Sequence, residues 1–365
     1  MNLVLAGLPL SGKTCLFDAA TGGAVDSAAH PARPDRPNAA TAWLPDERLD
    51  WLADHYQTKK RTPIALELVD VPGLTHGRSD LASQNTAILE HWRRADGLVS
   101  VLRAFRSDRV PGRIDPRADF VALHSEFMLS DLGVILRRID KVEAQIQKPI
   151  PEREALRHEL EFLGRCREAL EAERPLHDLV RNDAERATLR GFACLTEKPV
   201  LVLLNVSEED AGRPAEVVAR YPALRGPISG LCASLEAEIG RLAPDERPPF
   251  MAELGLDRLH TPDFLWATYR AMGRITYFTT GEKEVAARSI PQGTTAVDAA
   301  GEVHTDMARG FIRAETVAFE DFKRAGSLKQ ARADGHVRSE GRNYIVRDGD
   351  VLLFHFQAPS GKPGR

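Results

Sequence analysis

The residues best suited to chemistry lie near the start of the chain, in a glycine-rich loop that follows a short apolar segment. Residues 7–14 read G-L-P-L-S-G-K-T and fit G-x-x-x-x-G-K-[ST] at every fixed position. Glycines let successive backbone N–H groups point at phosphate oxygens, while Lys13 can reach the β and γ phosphates and the Thr14 hydroxyl can ligate Mg2+. The alternative is a glycine-rich turn with an exposed lysine. The pattern predicts a nucleoside triphosphate site with these nucleotide-binding residues: Gly7, Leu10, Ser11, Gly12, Lys13, Thr14 and Cys15.

A second candidate segment follows a strand-like run at 64–69. Residues 70–73 read D-V-P-G, a D-x-x-G pattern that is weak alone and strong at this distance after a phosphate loop. The Asp70 carboxylate would hold the magnesium shell through water, and the Gly73 amide can approach the γ-phosphate because no side chain blocks it. The residue after this glycine, Leu74, replaces the glutamine that orients water in hydrolysing GTPases of the Ras type. Lys13, Asp70 and Gly73 are the predicted catalytic residues, and Thr14 and Asp70 are the predicted metal ligands.

Two later segments could contact the base. Residues 205–208 read N-V-S-E after an apolar strand candidate, where a guanine-binding site has N-K-x-D. Loss of the lysine and the longer Glu208 side chain weaken the case for guanine recognition, because unmatched polar groups in a base pocket discriminate strongly. The alternative for Asn205 is an ordinary asparagine where a strand meets a loop. With residues 232–234 as a further base loop, the predicted base contacts are Asn205, Val206, Glu208, Cys232 and Ala233.

Length and composition limit the kind of protein in which this site can occur. A chain of 365 residues predicts two or three domains, and a net charge of −4 gives no bulk attraction to nucleic acid or anionic membrane. Its four cysteines form no C-x-x-C pair, which argues against a zinc site or a disulfide framework. The apolar opening is too short for a signal peptide, and no run reaches membrane-spanning length. We expect a cytoplasmic protein that binds neither DNA nor membrane.

A helical insert is predicted to interrupt the nucleotide domain between residues 119 and 196. Apolar residues recur there at spacings of four and three, which is a heptad seam, and prolines at 149 and 151 end the first helix. The pattern predicts an antiparallel helical hairpin, with either a purely structural role or the role of an arm that contacts a partner. The seam residues are Met128, Leu132, Ile135, Ile139, Val142 and Ile146 on the first helix, and Leu156, Leu160, Leu163 and Leu170 on the second.

From residue 276 to residue 356 the pattern changes to short alternating strands separated by glycines. This predicts a small β-grasp domain, followed by a disordered tail at 358–365 that is rich in glycine and proline. Four arginines are the first residues to test for RNA contact: Arg309, Arg313, Arg338 and Arg342.

The order of these motifs resembles the YchF, or Obg-like, ATPases of the translation-factor class. The resemblance implies ATP binding and hydrolysis in preference to GTP, a need for magnesium, a C-terminal TGS domain and association with ribosomes. It also covers the leucine after D-x-x-G and the altered base motif. The matching stretches are 7–14, 45–50, 70–74, 198–200, 205–208, 232–238, 277–285, 304–306, 310–315 and 344–351.

Three positions depart from the family pattern. Pro34 stands where switch I carries a magnesium-ligating threonine, and Asp35 or Thr41 is the candidate substitute. Ser100 stands where a histidine considered catalytic occurs, with His76 as the nearest replacement in sequence. The switch II continuation at 76–85 is also poorer in glycine than the family pattern. We therefore expect an impaired hydrolytic apparatus.

Together these patterns predict an α/β fold in which a P-loop NTPase G domain (1–118 and 197–275) is interrupted by a helical coiled-coil hairpin (119–196). A TGS domain of β-grasp type (276–357) and the tail follow. The expected function is a monomeric ATP-binding switch with slow hydrolysis, associated with the ribosome or another RNA-protein complex. The alternatives are a nucleotide-binding adaptor without catalysis and a GTP-binding protein.

Overall fold

The structure is a computed structural model that describes residues 1–25, 27, 29–75, 82–110, 113–149, 151–224, 226–281 and 283–357. It divides into two compact units, Met1–Ala42 with Leu66–Thr268, and Trp43–Ala65 with the chain from Tyr269 onward. The predictions for His76, the 76–81 stretch and the 358–365 tail lie outside the described residues. None of the helices in the described part is both long enough and apolar enough to cross a membrane.

The strands of the described chain are β1 (Asn2–Ala6), β2 (Asn38–Leu44), β3 (Lys60–Thr62), β4 (Ile64–Asp70), β5 (Gly97–Ala104), β6 (Val200–Val206), β7 (Ile228–Leu231), β8 (Arg274–Thr280), β9 (Glu284–Pro291), β10 (Phe311–Ala318), β11 (Arg338–Glu340) and β12 (Asp350–Phe356). They form two six-stranded sheets, with strand orders β2-β4-β1-β5-β6-β7 and β11-β10-β12-β8-β9-β3.

Helices connect most of these strands. They are α1 (Lys13–Thr21), α2 (Glu47–Tyr56), α3 (Ala82–Arg94), α4 (Pro116–Ile146), α5 (Arg153–Glu171), α6 (Asp183–Gly191), α7 (Pro214–Ala219), α8 (Ala233–Arg241), α9 (Arg247–Glu253), α10 (Thr261–Ala271), α11 (Ala296–Val303), α12 (Thr305–Arg309), α13 (Phe319–Ala325) and α14 (Leu328–Ala333).

The first sheet brings the chemical motifs to one edge. β4, β1, β5, β6 and β7 are parallel neighbours in that order, so their carboxyl ends lie on the same side. All eight residues of β5 are buried, as expected for a strand covered on both faces. The loops after β1, β4, β6 and β7 are the four segments singled out in the sequence.

The predicted helical hairpin is confirmed as α4 and α5. Asp115 begins α4 by accepting a hydrogen bond from the Ala118 N–H at 3.0 Å, and Pro116 occupies the first turn, where it leaves no intrahelical bond unmade. The predicted seam residues form its apolar core: Ile135, Ile139, Val142, Leu163 and Leu170 are buried, and Met128, Leu132, Ile146, Leu156 and Leu160 pack against them. With a hairpin between the strands of the first sheet, the predicted fold class is confirmed.

Asp131 on α4 ties the hairpin to the chain that returns to the sheet. Its carboxylate, fully buried, accepts hydrogen bonds from Leu195 N at 2.9 Å, and from both Thr196 N and Thr196 Oγ1 at 2.8 Å. Arg93 Nη1, at the end of α3, lies 3.1 Å from Asp131 Oδ1. Burial raises the pKa of the Asp131 carboxyl, and the hydrogen bonds and Arg93 act in the opposite direction.

The second unit is built mainly from antiparallel strands, and it includes residues 43–65. Arg48 on α2 bridges Asp46 and Asp348, with N–O distances of 2.8 Å to each. The Trp51 ring packs edge-on against Phe319, with centroids 5.7 Å apart. β3 also pairs with β9 in parallel. The first part of the chain therefore supplies a helix and an edge strand to the C-terminal unit, while the domain boundaries given above remain predictions.

Replacing Asp131 by alanine tests the link between the helical hairpin and the chain that returns to the first sheet. We expect the Asp131→Ala variant to lose about 3 kcal/mol of unfolding free energy, because the buried N–H groups of Leu195 and Thr196 and the Arg93 guanidinium lose their acceptor. Urea denaturation measures the loss. Asp140→Ala removes an exposed carboxylate from the same helix and serves as the control. Equal stability of the two variants would contradict the assigned role.

Candidate functional site

The loop after β1 has the backbone of a phosphate cradle. Gly12, immediately before α1, has φ +92°, a left-handed conformation that favours glycine. The packing around this position also requires glycine, because a Cβ built on Gly12 would lie 2.0 Å from Asn205 Nδ2. Leu10 also has positive φ, at 61°. The loop therefore holds a curled conformation and leads into the N-terminus of α1, where N–H groups attract an anion.

Lys13 lies buried under this loop, with 6% of its surface exposed. Its Nζ donates to the carbonyl oxygens of Leu8 at 2.9 Å and Gly7 at 3.3 Å. Burial lowers the pKa of Lys13 to about 8, and the nearby Asp70 charge opposes that shift. The ammonium group is thus held within the cradle, with carbonyl contacts that a phosphate oxygen could replace.

Thr14 and Asp70, the two metal ligands predicted from the sequence, lie together in one corner of the site. Thr14 Oγ1 donates to Asp70 Oδ2 at 2.8 Å, across the carboxyl ends of β1 and β4. Asp70 is 1% exposed, and its Oδ1 is buried without a hydrogen-bond partner in the described part of the chain. Burial raises the pKa of Asp70, against the effects of the Thr14 hydrogen bond and the Lys13 charge.

This donor set fits magnesium. Mg2+ prefers oxygen ligands and is usually held by one or two protein oxygens, with water and phosphate completing the shell. Thr14 and the unpartnered carboxylate oxygen of Asp70 match that description. Across the described ranges no group of three or more His, Cys, Asp and Glu side chains could hold a metal by itself.

The switch II segment lies directly against the phosphate loop. A Cβ built on Gly73 would lie 2.3 Å from Pro9 N and 2.6 Å from the Leu8 carbonyl carbon. The Leu74 N–H donates to Gly7 O at 3.3 Å, while its side chain is buried in the core with Trp92. Glycine is therefore required here for contact with the phosphate loop. The buried Leu74 side chain offers no group that could orient water.

The predicted base-contacting residues come together at the carboxyl ends of β6 and β7. Asn205 donates through Nδ2 to Ser11 O at 3.1 Å and accepts from Ala233 N at 3.0 Å. Val206 and Cys232 are buried, whereas Glu208 is exposed in the short turn Glu208–Asp210. Asn205 thus fixes the phosphate loop to the last base loop. Its direct contact with a base remains a prediction.

Helix α3 connects both switch segments to the helical hairpin. Near its start, Asn85 Nδ2 donates to Thr75 O at 2.8 Å, and near its end, His91 Nε2 lies 2.9 Å from Pro34 O. Arg93 then donates to Ala193 O at 2.9 Å, in addition to its ion pair with Asp131. These contacts of α3 were not predictable from the sequence, because they join segments far apart in the chain.

A histidine does lie near Ser100, although it is not the predicted His76. His124 on α4 has its Nε2 3.5 Å from Ser100 Oγ, and its ring stacks on Phe120 with centroids 3.9 Å apart. Burial lowers the pKa of His124 to about 4, so the imidazole is neutral at physiological pH. The only sequence signal was its place one turn after Phe120 on an amphipathic helix.

The parallel sheet, the glycine loop, the buried lysine and the Thr14–Asp70 corner define a P-loop nucleotide-binding protein. The family YchF-GTPase_C, described as "Protein of unknown function (DUF933)", matches residues 274–357. The chain is 36% identical to "Ribosome-binding ATPase YchF" of Bacillus subtilis (strain 168), over 96% of this chain and 98% of that protein. It is 33% identical to "Obg-like ATPase 1" of Homo sapiens, over 98% and 93% respectively.

A solved structure agrees with these relatives. The YchF GTPase of Schizosaccharomyces pombe superposes with a TM-score of 0.82 at 27% identity, covering 97% of both chains. This chain belongs to the YchF/Obg-like ATPase family, as its motifs predicted. Family membership makes it a P-loop NTPase, while the roles assigned above to individual site residues remain predictions.

Replacing Gly73 by alanine tests the contact between switch II and the phosphate loop. The added methyl meets backbone atoms that cannot rotate away, so we expect Mg-ATP affinity to fall about 10-fold, in line with overpacking costs of about 1–3 kcal/mol. Isothermal titration calorimetry measures the change. Gly164→Ala on α5 is the control, since a Cβ built there meets nothing within 4 Å. Unchanged affinity in the Gly73 variant would refute the proposed constraint.

The buried lysine predicts a proton linkage. With a pKa of about 8, the free Lys13 amine is half deprotonated near pH 8, and bound phosphate favours the charged form. Binding of Mg-ATP should therefore take up roughly half a proton at pH 8 and about a tenth at pH 7, and affinity should fall as pH rises through 8. Calorimetry in buffers of different ionisation enthalpy measures this uptake. The same uptake at both pH values would disprove the linkage.

Proposed function

We propose that this protein is an ATP-binding P-loop ATPase with slow hydrolysis, which acts as a nucleotide-dependent switch. The observation that carries the proposal is the arrangement of Lys13, Thr14 and Asp70 beneath a glycine loop that Gly73 touches from the other side. Charge on the transferred phosphoryl group would be stabilised by the N–H groups of the loop and by Lys13. When bound, Mg2+ would neutralise charge between the β and γ phosphates, held by Thr14 and Asp70.

The preference for ATP rests on the base segment. The buried Val206 replaces the lysine of N-K-x-D, and Glu208 replaces its aspartate. Neither change preserves the guanine contacts that such a site requires. The names of the relatives disagree on the nucleotide, since two are called ATPases and the solved structure is called a GTPase. GTP binding therefore stays as the alternative.

Slow hydrolysis follows from the absence of suitable side chains at three positions. Leu74 is buried and apolar, Pro34 has no hydroxyl, and Ser100 is buried beside the neutral His124. An activator that supplies a charged group could raise the rate by about 10³ to 10⁵. A nucleotide-binding adaptor without hydrolysis is the second candidate, and the same three positions favour it.

The switch proposal draws on the contacts of α3. Asn85 holds Thr75 next to the phosphate loop, while Arg93 holds the hairpin through Asp131 and Ala193. A rigid helix that is fixed at both ends transmits a displacement of switch II to the base of the hairpin. Movement of α3 with the nucleotide would therefore change the position of the α4–α5 arm.

The partner proposed for this switch is the ribosome, because the bacterial relatives are named ribosome-binding ATPases. Such a partner agrees with the predicted cytoplasmic location. The predicted monomeric state and the absence of DNA binding stay part of the proposal.

Competition and single-turnover assays test the proposal. ATP should displace a labelled analogue more effectively than GTP, and phosphate release should exceed both the protein-free control and a Lys13→Ala variant. Lys13→Ala should bind ATP poorly, because a buried point charge that contacts the phosphates is lost. Preferential displacement by GTP would overturn the base assignment. ATP binding without phosphate release would favour the second candidate, a nucleotide-binding adaptor without hydrolysis.

A further inference from the structure

A cleft lined by arginines lies at the carboxyl end of β5. It has a volume of about 600 Å³, and its lining includes Arg103, Arg106, Arg113, Ser107 and Asp108. β5 runs between β1 and β6, whose following loops form the nucleotide site. The carboxyl edge of an open parallel sheet is where such folds bind ligands. The cleft is thus a neighbour of the phosphate loop with a distinct lining.

The charges of this cleft are poorly balanced. Arg103 is 7% exposed and lies near Asp119; burial raises the pKa of the Asp119 carboxyl, and the Arg103 charge opposes that shift. Arg106 and Arg113 are exposed, and neither forms an ion pair within the described ranges. By contrast, Arg138 on the hairpin faces Glu159, with an N–O distance of 2.7 Å. With Asp108 in the described lining and Asp119 beside Arg103, the three arginines leave a net charge of about +1.

The chemistry of this lining selects for phosphate. Arginine presents a planar fork of donors that matches phosphate oxygens, and the Ser107 hydroxyl adds a neutral donor. Arg106 and Arg113 have no ion pair within the described ranges, so an anion that contacts both of them would bind favourably. The chain as a whole has a net charge of −4, which makes this local cluster an exception to its overall electrostatics.

We propose that the Arg103–Arg106–Arg113 cleft binds the phosphodiester backbone of single-stranded RNA. This inference rests on the ribosome association proposed above, and it adds an RNA-contacting surface outside the C-terminal unit. RNA is favoured over a small anion because Arg106 and Arg113 are exposed on an open cleft, which a continuous backbone can follow. RNA is favoured over an acidic peptide because every nucleotide carries a charged phosphate, so each exposed arginine can bind one wherever it lies along the backbone.

The test is fluorescence anisotropy of a labelled oligouridine with the full-length protein at several salt concentrations, in the absence of ribosomes. Arg106→Ala combined with Arg113→Ala should weaken binding and make the slope of log K against log salt shallower by about 1.4, or 0.7 for each lost phosphate contact. Arg106→Lys with Arg113→Lys should retain the slope because the charge remains. ATP binding should be unchanged in all of these variants.

A matched control removes the same net charge at another place. Arg258 and Arg324 are exposed and paired with Asp263 and Asp321, so Arg258→Ala with Arg324→Ala should leave RNA binding unaltered. Equal losses in both double variants, or no loss in the cleft variant, would refute the proposal. Full displacement of the RNA by tripolyphosphate at low concentration, or by polyglutamate, would assign the cleft to a small anion or an acidic peptide instead. Because the assay omits ribosomes and nucleotide, its failure leaves the proposed ATPase untouched.

Discussion

The buried positive charge of Lys13 is the constraint on which the rest of the site depends. A lysine that is 6% exposed is costly unless nearby groups satisfy it, and here the carbonyl groups of Gly7 and Leu8 and the charge of Asp70 do so. The curled loop is needed to aim those carbonyls, and Gly12 supplies the backbone conformation that the curl requires. Asn205 then holds the loop against the neighbouring strands. The loop and the neighbouring strands of the first sheet thus hold in place the groups that stabilise the Lys13 ammonium.

Asp70 connects the phosphate loop to the switch II segment. The strand that places its carboxylate beside Thr14 continues into Gly73, which fits against the phosphate loop only because it lacks a side chain. Thr75 is then bonded to Asn85 on α3, and Arg93, near the end of α3, pairs with Asp131 of the hairpin. In the switch proposed above, a change at the phosphates reaches the arm through one strand, one loop and one helix. These contacts are the physical route of the proposed coupling.

Local pattern was sufficient for much of this molecule. The phosphate loop, the D-x-x-G corner and the heptad seam each depend on spacing within a few turns, and the structure has all three where the sequence predicted them. Contacts between distant segments were not predictable in this way. Asp46 signals the start of a helix at residue 47, but nothing local indicates that this helix joins the C-terminal unit through Arg48 and Asp348. The pairs Arg93–Asp131 and Ser100–His124 were missed for the same reason.

The central claim is that Mg-ATP at the phosphate loop acts on the hairpin through α3, and hydrogen–deuterium exchange tests it most directly. The amides of Leu195 and Thr196 donate to Asp131, so their exchange reports on the junction that Arg93 holds. We predict that Mg-ATP changes their exchange rates in the wild-type protein. An Arg93→Ala variant that still binds Mg-ATP should show no such change. Identical exchange of these amides in the wild-type protein with and without Mg-ATP would contradict the account.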